Sequence, residues 1–432
     1  MKKKFLNHKF IIFLVVAVIV MIFTCQYKSD KKVMLGQLTT EQKLEDFRYM
    51  YDILKDNYAY FDVKKRKNGY DWILYKKQFE QQIIKTKNNY EFYCALENII
   101  DVLKDSHTNL LNPYSFNYHR SLYNNVSNTT ECDFTSWINI LNNNTTIKKY
   151  CYWGEVLTEK KPGYKEFSKY YSNSFKDIKK NSNYKNFDVK VIEPNSIAYI
   201  KIRTMRSEYI EHDIKEIKNF LKKVKDYPYL IIDIMGNSGG DTRYWGKIVE
   251  SLVDKEINYT CYSVFRGNDY SLKFYKDIYK NETFKSIKDI PYMKNYSPEL
   301  KEDFKYYIEN NIEIQPYNSI NYKGKIFLLI DDHVFSSADA LAQFCKRTGF
   351  ATLVGGITKG DGIGTSPVLM TLPNSGLVIR FAAEMGLNSD GSSNAEYGTV
   401  PDIFVLPIDN GQNVIDETVK MIHKIDKQNN QQ

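Results

Sequence analysis

The chain has 432 residues, 43% of them hydrophobic, which is enough for two or three domains with substantial cores. Its formal net charge is +8, and four lysines among the first nine residues account for half of that excess. The other charges are mixed in sign without a basic stripe, so the composition gives no support to a nucleic-acid partner. The six cysteines include no CxxC, and no HExxH spacing occurs, so a metal site is not predicted.

The N-terminus carries a basic stretch followed by an unbroken apolar run at residues 10–23 and then by Cys25. The run is shorter than the roughly 17–25 residues that a spanning helix needs, and this layout is typical of a secretory signal. Three interpretations of residues 1–25 stay open: a signal peptide, a lipid anchor at Cys25, or a membrane anchor through residues 10–24. Each places residues 26–432 outside the cytoplasm, so we expect a secreted or membrane-anchored bacterial protein.

Residues 38–112 are predicted to form an N-terminal helical domain. Thr39 offers an N-cap, and Gln42 follows three residues later. Apolar residues then recur on one helix face, at Leu44, Phe47, Tyr51, Leu54 and Tyr58. A second helix of this kind ends near Lys104, which leaves His107 in a loop where it can point into a cleft. A surface or structural histidine is the alternative interpretation.

Residues 113–190 are rich in Asn, Tyr and Lys and show no clear period, so we predict an irregular linker or cover segment. Cys132 and Cys151 flank part of this segment. An oxidising compartment would allow the two cysteines to pair, a question that the sequence leaves open.

Regular patterning returns in residues 191–408, which are predicted to form an α/β domain. An alternating strand at 196–202 precedes a helix, and an apolar strand at 229–234 precedes a glycine loop and another helix. This order predicts layers around a largely buried sheet. Residues 265–320 are charged and Tyr-rich, and we predict a helical insertion there. Residues 409–432 follow as a C-terminal tail.

Two loops of this domain are candidates for chemistry. The run KIFLLIDDHVFSSADALAQFCKR at 325–347 predicts a strand, a short loop and a helix. Ser336 or Ser337 is therefore either an exposed nucleophile near the positive end of the helix dipole or simply the helix cap. The glycine loop at 236–240 lacks the spacing of a phosphate cradle, which leaves a tight turn or an oxyanion hole.

Four stretches in register resemble the tail-specific, carboxyl-terminal processing serine peptidases, in the branch similar to the tricorn core. They are LKDSHT at 103–108, YLIIDIMGNSGGD at 229–241, FSSADALAQFCKRTGFATLVGGITKGDG at 335–362 and DG…AEYGTVPDI at 390–403. The resemblance implies a ClpP/crotonase-like catalytic domain at 191–408. It also implies an active site in the cleft between that domain and the helical domain.

The resemblance assigns roles residue by residue. It implies Ser336 as the nucleophile and His107 as the general base. Ser106 is the implied serine that orients the base, and Glu396 is the implied carboxylate that ends the relay. A serine hydroxyl needs an adjacent base near neutral pH, and the imidazolium that forms needs a stabilising carboxylate. The implied mechanism passes through an acyl-enzyme, without a metal or an organic cofactor.

The implied oxyanion hole consists of the backbone N–H of Ser337 with one from Gly239 or Gly240. Many relatives instead use a Ser–Lys dyad, with the lysine in a GKG segment. The matching segment here, 360–362, reads Gly-Asp-Gly, so the dyad is absent, and Lys359 is not assigned as the base. Residues 113–190 also show no PDZ pattern, so the sequence does not indicate selection of substrates by a bound C-terminus.

We therefore predict an extracytoplasmic serine endopeptidase or tail-trimming peptidase that acts on unfolded or tail-exposed polypeptides. The alternative is a non-catalytic ligand- or peptide-binding protein on the same fold, since fold does not fix function. Membrane contact is expected only through residues 10–24, if the leader is retained, or through a lipidated Cys25. The sequence leaves the oligomeric state open.

Overall fold

The computed structural model of the chain describes residues 36–127, 133–169, 185–280 and 283–429. Its first part is helical, as the apolar period of residues 38–112 predicts. The capping box forms, because the Thr39 side chain accepts from the Gln42 N–H and the Gln42 side chain accepts from the Thr39 N–H. The helices of this part are α1 (Thr40–Asn57), α2 (Phe61–Asn68), α3 (Lys76–Ile84) and α4 (Asn89–Asp101).

The prediction of an irregular segment at 113–190 is wrong for its described residues, which include α5 (Pro113–Ser127), α6 (Thr135–Leu141) and α7 (Asn144–Lys160). Trp137 and Trp153 are fully buried. Their indole N–H groups donate to the carbonyls of Pro367 and Ser375 at 2.8 and 3.1 Å. The buried faces of these helices use Trp and Tyr among Asn and Lys, which is why their period is hard to see in the sequence.

The strands are β1 (Asn109–Leu110), β2 (Phe187–Glu193), β3 (Ile197–Ile202), β4 (Tyr229–Asp233), β5 (Ile257–Phe265), β6 (Lys285–Ser286), β7 (Tyr306–Ile314), β8 (Lys325–Ile330), β9 (Thr352–Gly355), β10 (Val368–Thr371), β11 (Val378–Phe381), β12 (Glu384–Leu387) and β13 (Ile403–Phe404). A six-stranded sheet has the order β13-β9-β8-β4-β3-β2. Its neighbouring strands are parallel except for β2, which is antiparallel to β3. The continuous apolar runs of β4 and β8 fit a sheet that is buried on both faces.

Helices cover both faces of this sheet. The later helices are α8 (Ile210–Lys223), α9 (Thr242–Leu252), α10 (Asp269–Ile278), α11 (Leu300–Asp303), α12 (Ser337–Thr348), α13 (Asn394–Tyr397) and α14 (Gln412–Asn429). One core joins the sheet to α8, α9 and α12, and a second core joins its other face to α14 through Val414 and Ile422. The predicted α/β fold class is confirmed, and the C-terminal tail contains a packed helix.

The described residues also form two smaller antiparallel sheets. The first has the order β12-β5-β7-β6 and takes in part of the predicted helical insertion, which is helical at α10 but extended at β7. The second has the order β1-β11-β10, in which Asn109 pairs with Arg380. Because β1 follows α4, this pairing ties the loop that carries His107 to the later part of the chain.

Within the described ranges, no helix has the length and apolar character needed to cross a membrane. The leader at 1–25 and Cys132 lie outside the described residues, so the anchor and the pairing of Cys132 with Cys151 stay predictions. The residues from Gln37 onwards form one compact unit. The predicted domain boundaries within that unit also stay predictions.

Candidate active site

Ser336 is the last residue of the loop between β8 and α12. It has φ 55° and ψ −127°, and such sparsely populated conformations cost a non-glycine residue about 1–3 kcal/mol. Its N–H donates to the carbonyl of Gly360 at 3.1 Å, and its carbonyl accepts from the N–H of Ala340 at 2.9 Å. A strained serine on a strand-to-helix turn, near the positive end of a helix dipole, has the geometry of an exposed nucleophile.

Backbone strain is concentrated around this turn. Seven of the described non-glycine residues have positive φ, and four of them are Asn, a residue type that is enriched in this region. The other three are Lys104, Ser336 and Asp361, with φ of 48°, 55° and 60°. All three flank one cluster of side chains, since Lys104 lies in the loop of His107 and Asp361 contacts that histidine. Clustered strain of this kind is typical of functional sites.

His107 reaches the serine from the short loop between α4 and β1. Its N–H donates to Asp105 Oδ1 at 3.1 Å, and the Arg380 guanidinium donates to its carbonyl at 3.4 Å. The ring lies 3.2 Å from Ser336 Oγ through Nε2 and packs on Phe335 with centroids 4.5 Å apart. The structure therefore brings together the two residues that the sequence predicts as base and nucleophile.

Asp361 is the carboxylate on the other side of the imidazole. Its Oδ2 lies 2.5 Å from His107 Nδ1, and its Oδ1 accepts from the Tyr60 hydroxyl at 2.7 Å. Burial alone would raise the pKa of Asp361, but the charge of His107 and the hydrogen bonds from His107 and Tyr60 hold this pKa below its ordinary value. An Nδ1–H that donates to a carboxylate leaves Nε2 free to accept the proton of Ser336. The three side chains have the order of a Ser–His–Asp triad.

The loop that carries this acid is anchored to the helix of the nucleophile. The Gly362 N–H donates to Asp339 Oδ2 at 3.1 Å and to Asn394 Oδ1 at 2.8 Å. Asp339 lies in the first turn of α12 and also accepts from the hydroxyls of Thr358 and Thr399 at 2.5 and 2.6 Å. Burial raises the pKa of Asp339 although these hydrogen bonds oppose the shift. One buried carboxyl thus holds two of the triad elements together.

The predicted relay from Ser106 to Glu396 is not formed, and this prediction is corrected. Ser106 is exposed, and its hydroxyl accepts from Lys359 Nζ at 2.8 Å. Glu396 accepts from Arg66 at 2.6 and 2.7 Å, and Arg66 also binds Glu299. The physical reason is that α13 turns Glu396 towards α2, where a guanidinium already neutralises its charge. The carboxylate beside the histidine comes from a different loop.

Sequence reasoning missed Asp361 and Tyr60. In the sequence, the segment Gly-Asp-Gly at 360–362 attracts attention only because relatives with a Ser–Lys dyad have a lysine at its middle position. An acid at the place of that lysine is the signal that could have found Asp361, because a histidine base uses a carboxylate partner. No sequence signal points to Tyr60, which is 301 positions away from the acid it contacts.

The glycine loop runs beside the nucleophile turn, and its two predicted oxyanion donors differ. The Gly239 N–H already donates to Asn237 Oδ1 at 2.8 Å. The Met205 N–H donates to the Gly239 carbonyl at 3.0 Å, and the Asp241 N–H donates to the Met205 carbonyl at 2.7 Å. In a strand pairing of this kind the N–H of the residue between them, Gly240, points away from Met205. A Cβ on Gly240 would lie 2.3 Å from the Met205 carbonyl oxygen, so only glycine fits there. Gly240 and Ser337 are thus the better pair of the three predicted donors.

Among the described residues, Asp331, Asp332 and His333 form a group whose potential metal-ligand atoms all lie within 4.8 Å of one another. Asp332 and His333 are exposed. Asp331 Oδ1 accepts from the N–H groups of Gly236 and His333 at 3.0 and 3.1 Å, so it closes the turn between the glycine loop and β8. Asp331 therefore has a structural role in this loop. The absence of a metal site stays a prediction.

Comparison with known proteins adds to this geometry. The model of peptidase family S41 matches residues 196–405, a range that contains Ser336, Asp361 and the glycine loop but not His107. A candidate peptidase from Parabacteroides merdae has a similar structure, with 17% identity and a TM-score of 0.52, over 88% of this chain and 96% of that one. Mature CPAF complexed with lactacystin is also similar, with 14% identity and a TM-score of 0.53, over 91% of this chain and 98% of that one.

No curated protein of similar sequence is found. At these sequence identities the similar structures establish the fold alone, and they do so over most of the chain. The family model adds the chemistry class, because it covers the nucleophile turn and the loop of the acid. Residues 196–405 therefore match peptidase family S41, the tail-specific and carboxyl-terminal processing peptidases.

Proposed function

We propose that this chain is a serine peptidase that hydrolyses peptide bonds through an acyl-enzyme, with Ser336, His107 and Asp361 as its triad. The observation that carries the proposal is the position of His107, whose two ring nitrogens lie 3.2 Å from Ser336 Oγ and 2.5 Å from Asp361 Oδ2. A buried carboxylate, an imidazole and a serine hydroxyl in this order are what general-base activation of a serine requires.

The first half of the reaction follows from this order. Ser336 Oγ attacks the substrate carbonyl carbon while His107 Nε2 accepts the hydroxyl proton. The imidazolium that results is stabilised by Asp361, which stays ionised because its pKa is held below the ordinary value. His107 then gives its proton to the leaving amine, and the acyl group remains on Ser336. The contact of 3.2 Å is long for a hydrogen bond to a hydroxyl, and we expect it to shorten when substrate binds.

The developing oxyanion needs donors beside the nucleophile. We assign this role to the backbone N–H groups of Ser337 and Gly240, since Ser337 opens α12 and the Gly240 N–H is directed away from its ladder partner. In the second half of the reaction, water attacks the acyl group while His107 acts again as the base. The bond from the acyl carbon to Ser336 Oγ then breaks, His107 returns the proton to Oγ, and the peptide fragment leaves with a new carboxyl group.

We propose unfolded or tail-exposed polypeptides as the substrates and the extracytoplasmic space as the place of action. The substrate class is supported by the match of residues 196–405 to peptidase family S41, the tail-specific peptidases. The location rests on the basic and apolar leader at 1–25, which has the layout of a secretory signal. Sequencing the N-terminus of the protein from fractionated native cells tests the location. An intact leader on a cytoplasmic protein would contradict it.

The activity is tested with residues 26–432 and an unfolded, fluorescently labelled polypeptide. We expect steady hydrolysis by the unaltered protein and a loss of at least about 10⁴-fold in Ser336→Ala. Ser251→Ala is the matched control, since Ser251 is a buried helical serine whose hydroxyl binds the carbonyl of Ile248, outside the triad. Circular dichroism and urea unfolding show whether the variants keep the fold. Equal turnover of the Ser336→Ala variant and the unaltered protein would contradict the assignment.

A further inference from the structure

Tyr60 brings a buried hydroxyl from the helical part of the chain to the acid of the triad. It lies between α1 and α2, and its side chain is 1% exposed. The hydroxyl donates to Asp361 Oδ1 at 2.7 Å, while Asp361 Oδ2 faces the imidazole of His107 at 2.5 Å. Each oxygen of the carboxylate therefore has one hydrogen-bond partner, and the carboxylate is held in one orientation.

The surroundings of Tyr60 fix its hydroxyl. The N–H of Ala59 donates to the carbonyl of Ala382 at 3.1 Å, which ties this segment to the strand region that follows β11. The ring packs edge-on against Tyr58, with centroids 5.9 Å apart. The carbonyl of Glu384 is a second acceptor at 3.0 Å, but a charge-assisted bond to a carboxylate is the stronger of the two. Burial and the nearby charge of Asp361 raise the pKa of Tyr60 well above its ordinary value, so it stays a donor.

A second tyrosine holds the base in a parallel way. The Tyr58 hydroxyl donates to Asp105 Oδ2 at 2.9 Å, and Asp105 Oδ1 accepts from the His107 N–H at 3.1 Å. Asp105 also accepts from the Thr108 hydroxyl at 2.7 Å, which closes the loop around the histidine. Two residues of one short segment therefore contact the two acids that orient His107, one through its backbone and one through its ring.

We propose that Tyr60 is a positioning residue of the triad, whose hydroxyl keeps Asp361 oriented towards His107. The proposal rests on the proposed peptidase function and extends it. It gives the helical part of the chain a direct role in catalysis, because the base and the residue that orients its acid both come from outside residues 196–405. Tyr60 does not contact the substrate carbonyl; it acts through Asp361.

The test uses Tyr60→Phe, which keeps the ring and removes the donor. Without this bond the carboxylate rotates more freely, so the imidazolium loses part of its stabilisation in the transition state. We expect kcat to fall about 10-fold with KM within about twofold, the size of one hydrogen bond to a charged group. We also expect the acidic limb of the pH dependence of kcat/KM to move to lower pH. A 3-fluorotyrosine at position 60 keeps the donor and should restore kcat to within about twofold.

Tyr51→Phe is the matched control, since Tyr51 is a buried tyrosine of the same helical part whose hydroxyl donates to the Ile73 carbonyl at 2.7 Å, away from the triad. Its kcat and pH dependence should stay at the values of the unaltered protein. If neither kcat nor the acidic limb of the pH dependence of kcat/KM changes in Tyr60→Phe, the proposal is overturned. A limb that moves to higher pH would also overturn it, because Tyr60 would then tune the charge of Asp361 rather than its orientation.

A measurement that does not depend on enzymatic activity separates this proposal from the proposed function. The proton between His107 Nδ1 and Asp361 should give a far-downfield proton NMR signal, which Asp361→Asn removes. We expect this signal to move upfield or broaden in Tyr60→Phe and to stay in place in Tyr51→Phe. If the unaltered protein hydrolyses nothing while the signal responds in this way, the peptidase proposal fails and the positioning role stands. An unmoved signal overturns the positioning role whatever the activity is.

Discussion

Two neighbouring segments of this protein, the loop at 360–362 and the short helix α13, each carry an acid with little exposed surface, and only one of these acids lies in the candidate active site. The loop at 360–362 and α13 touch each other, since the Gly362 N–H donates to the side chain of Asn394 at 2.8 Å. The side chains of Asp361 and Glu396 are similarly covered, with 9% and 7% of their surface exposed. Asp361 faces His107, whereas Glu396 faces Arg66.

This difference shows that burial and sequence position do not settle the role of an acid. Glu396 accepts two hydrogen bonds from a guanidinium that stays charged, so its charge is already balanced and ties α13 to α2. Asp361 faces a group whose charge changes during the reaction, which makes its own charge useful for catalysis. The roles of the two acids can therefore be told apart by substitutions that leave the shapes of their side chains nearly unchanged.

The largest effect is expected from Asp361→Asn. The amide keeps the shape of the side chain but favours the wrong tautomer of His107, so we expect kcat to fall about 10⁴-fold. The kcat of Glu396→Gln, the same chemical change in the neighbouring helix α13, should stay within about threefold, because the hydrogen bonds of Glu396 are to Arg66 and not to a triad residue. Both values come from initial rates on an unfolded polypeptide at pH 7. A collapse of activity in Glu396→Gln with retained activity in Asp361→Asn would restore the relay implied by the sequence.

The second prediction concerns acid stability. The pKa of Asp361 is lower in the folded chain than its ordinary value near 3.9, so the unfolded chain binds a proton more readily. The stabilisation from Asp361 is therefore complete above about pH 4 and is lost as the pH falls through the folded value. We expect urea midpoints between pH 5 and 3 to fall less steeply in Asp361→Asn than in the unaltered protein. Asp332→Asn, at an exposed site, is the control, and parallel curves for all three proteins would contradict the prediction.

A smaller effect on stability is expected from Glu396→Gln. This change removes the charge that two Arg66 bonds neutralise, while Arg66 keeps its partner Glu299. Because Arg66 is 35% exposed, solvent weakens the ion pair, and we expect a loss of about 1 kcal/mol in the free energy of unfolding. Urea unfolding at low and high salt measures it. A loss that does not shrink with salt would mean that Glu396 stabilises by packing and not by charge.

The smallest effect is expected from Ser106→Ala. Ser106 is exposed and bonded to Lys359, so kcat/KM should stay within about twofold of the unaltered protein. Initial rates at pH 6, 7 and 8 measure it, with Thr108→Ala as a comparison in which the loop itself loses a buried hydrogen bond to Asp105. A large loss of rate in Ser106→Ala alone would mean that this serine moves to the histidine when substrate binds.

Much of the fold and two of the three candidate triad residues can be predicted from the sequence. The apolar runs of β4 and β8 and the period of α1 are local patterns, and the structure bears them out. The strand-to-helix turn at Ser336 and the loop position of His107 are also local features. They make both residues candidates, and the family resemblance is what assigns them as nucleophile and base.

Most of the features that could not be predicted from the sequence depend on contacts between distant segments. Asp361 is 254 positions from His107, and nothing in its neighbourhood states which way its side chain points. The pairing of Glu396 with Arg66 spans 330 positions and is equally hidden. The helices of residues 113–190 were not predicted for another reason. Buried residues such as Trp153 and Tyr150 stand among polar ones, which hides the apolar period.

The most direct test of the triad is the rate at which a fluorophosphonate probe labels Ser336, because this reaction needs the base and its acid but no particular substrate sequence. The rate is measured for the unaltered protein, Asp361→Asn and Glu396→Gln, with the labelled site identified by peptide mass analysis. We predict labelling at Ser336 that slows at least about 10³-fold in Asp361→Asn and stays unchanged in Glu396→Gln. Equal labelling rates in all three proteins, or labelling at another serine, would contradict it.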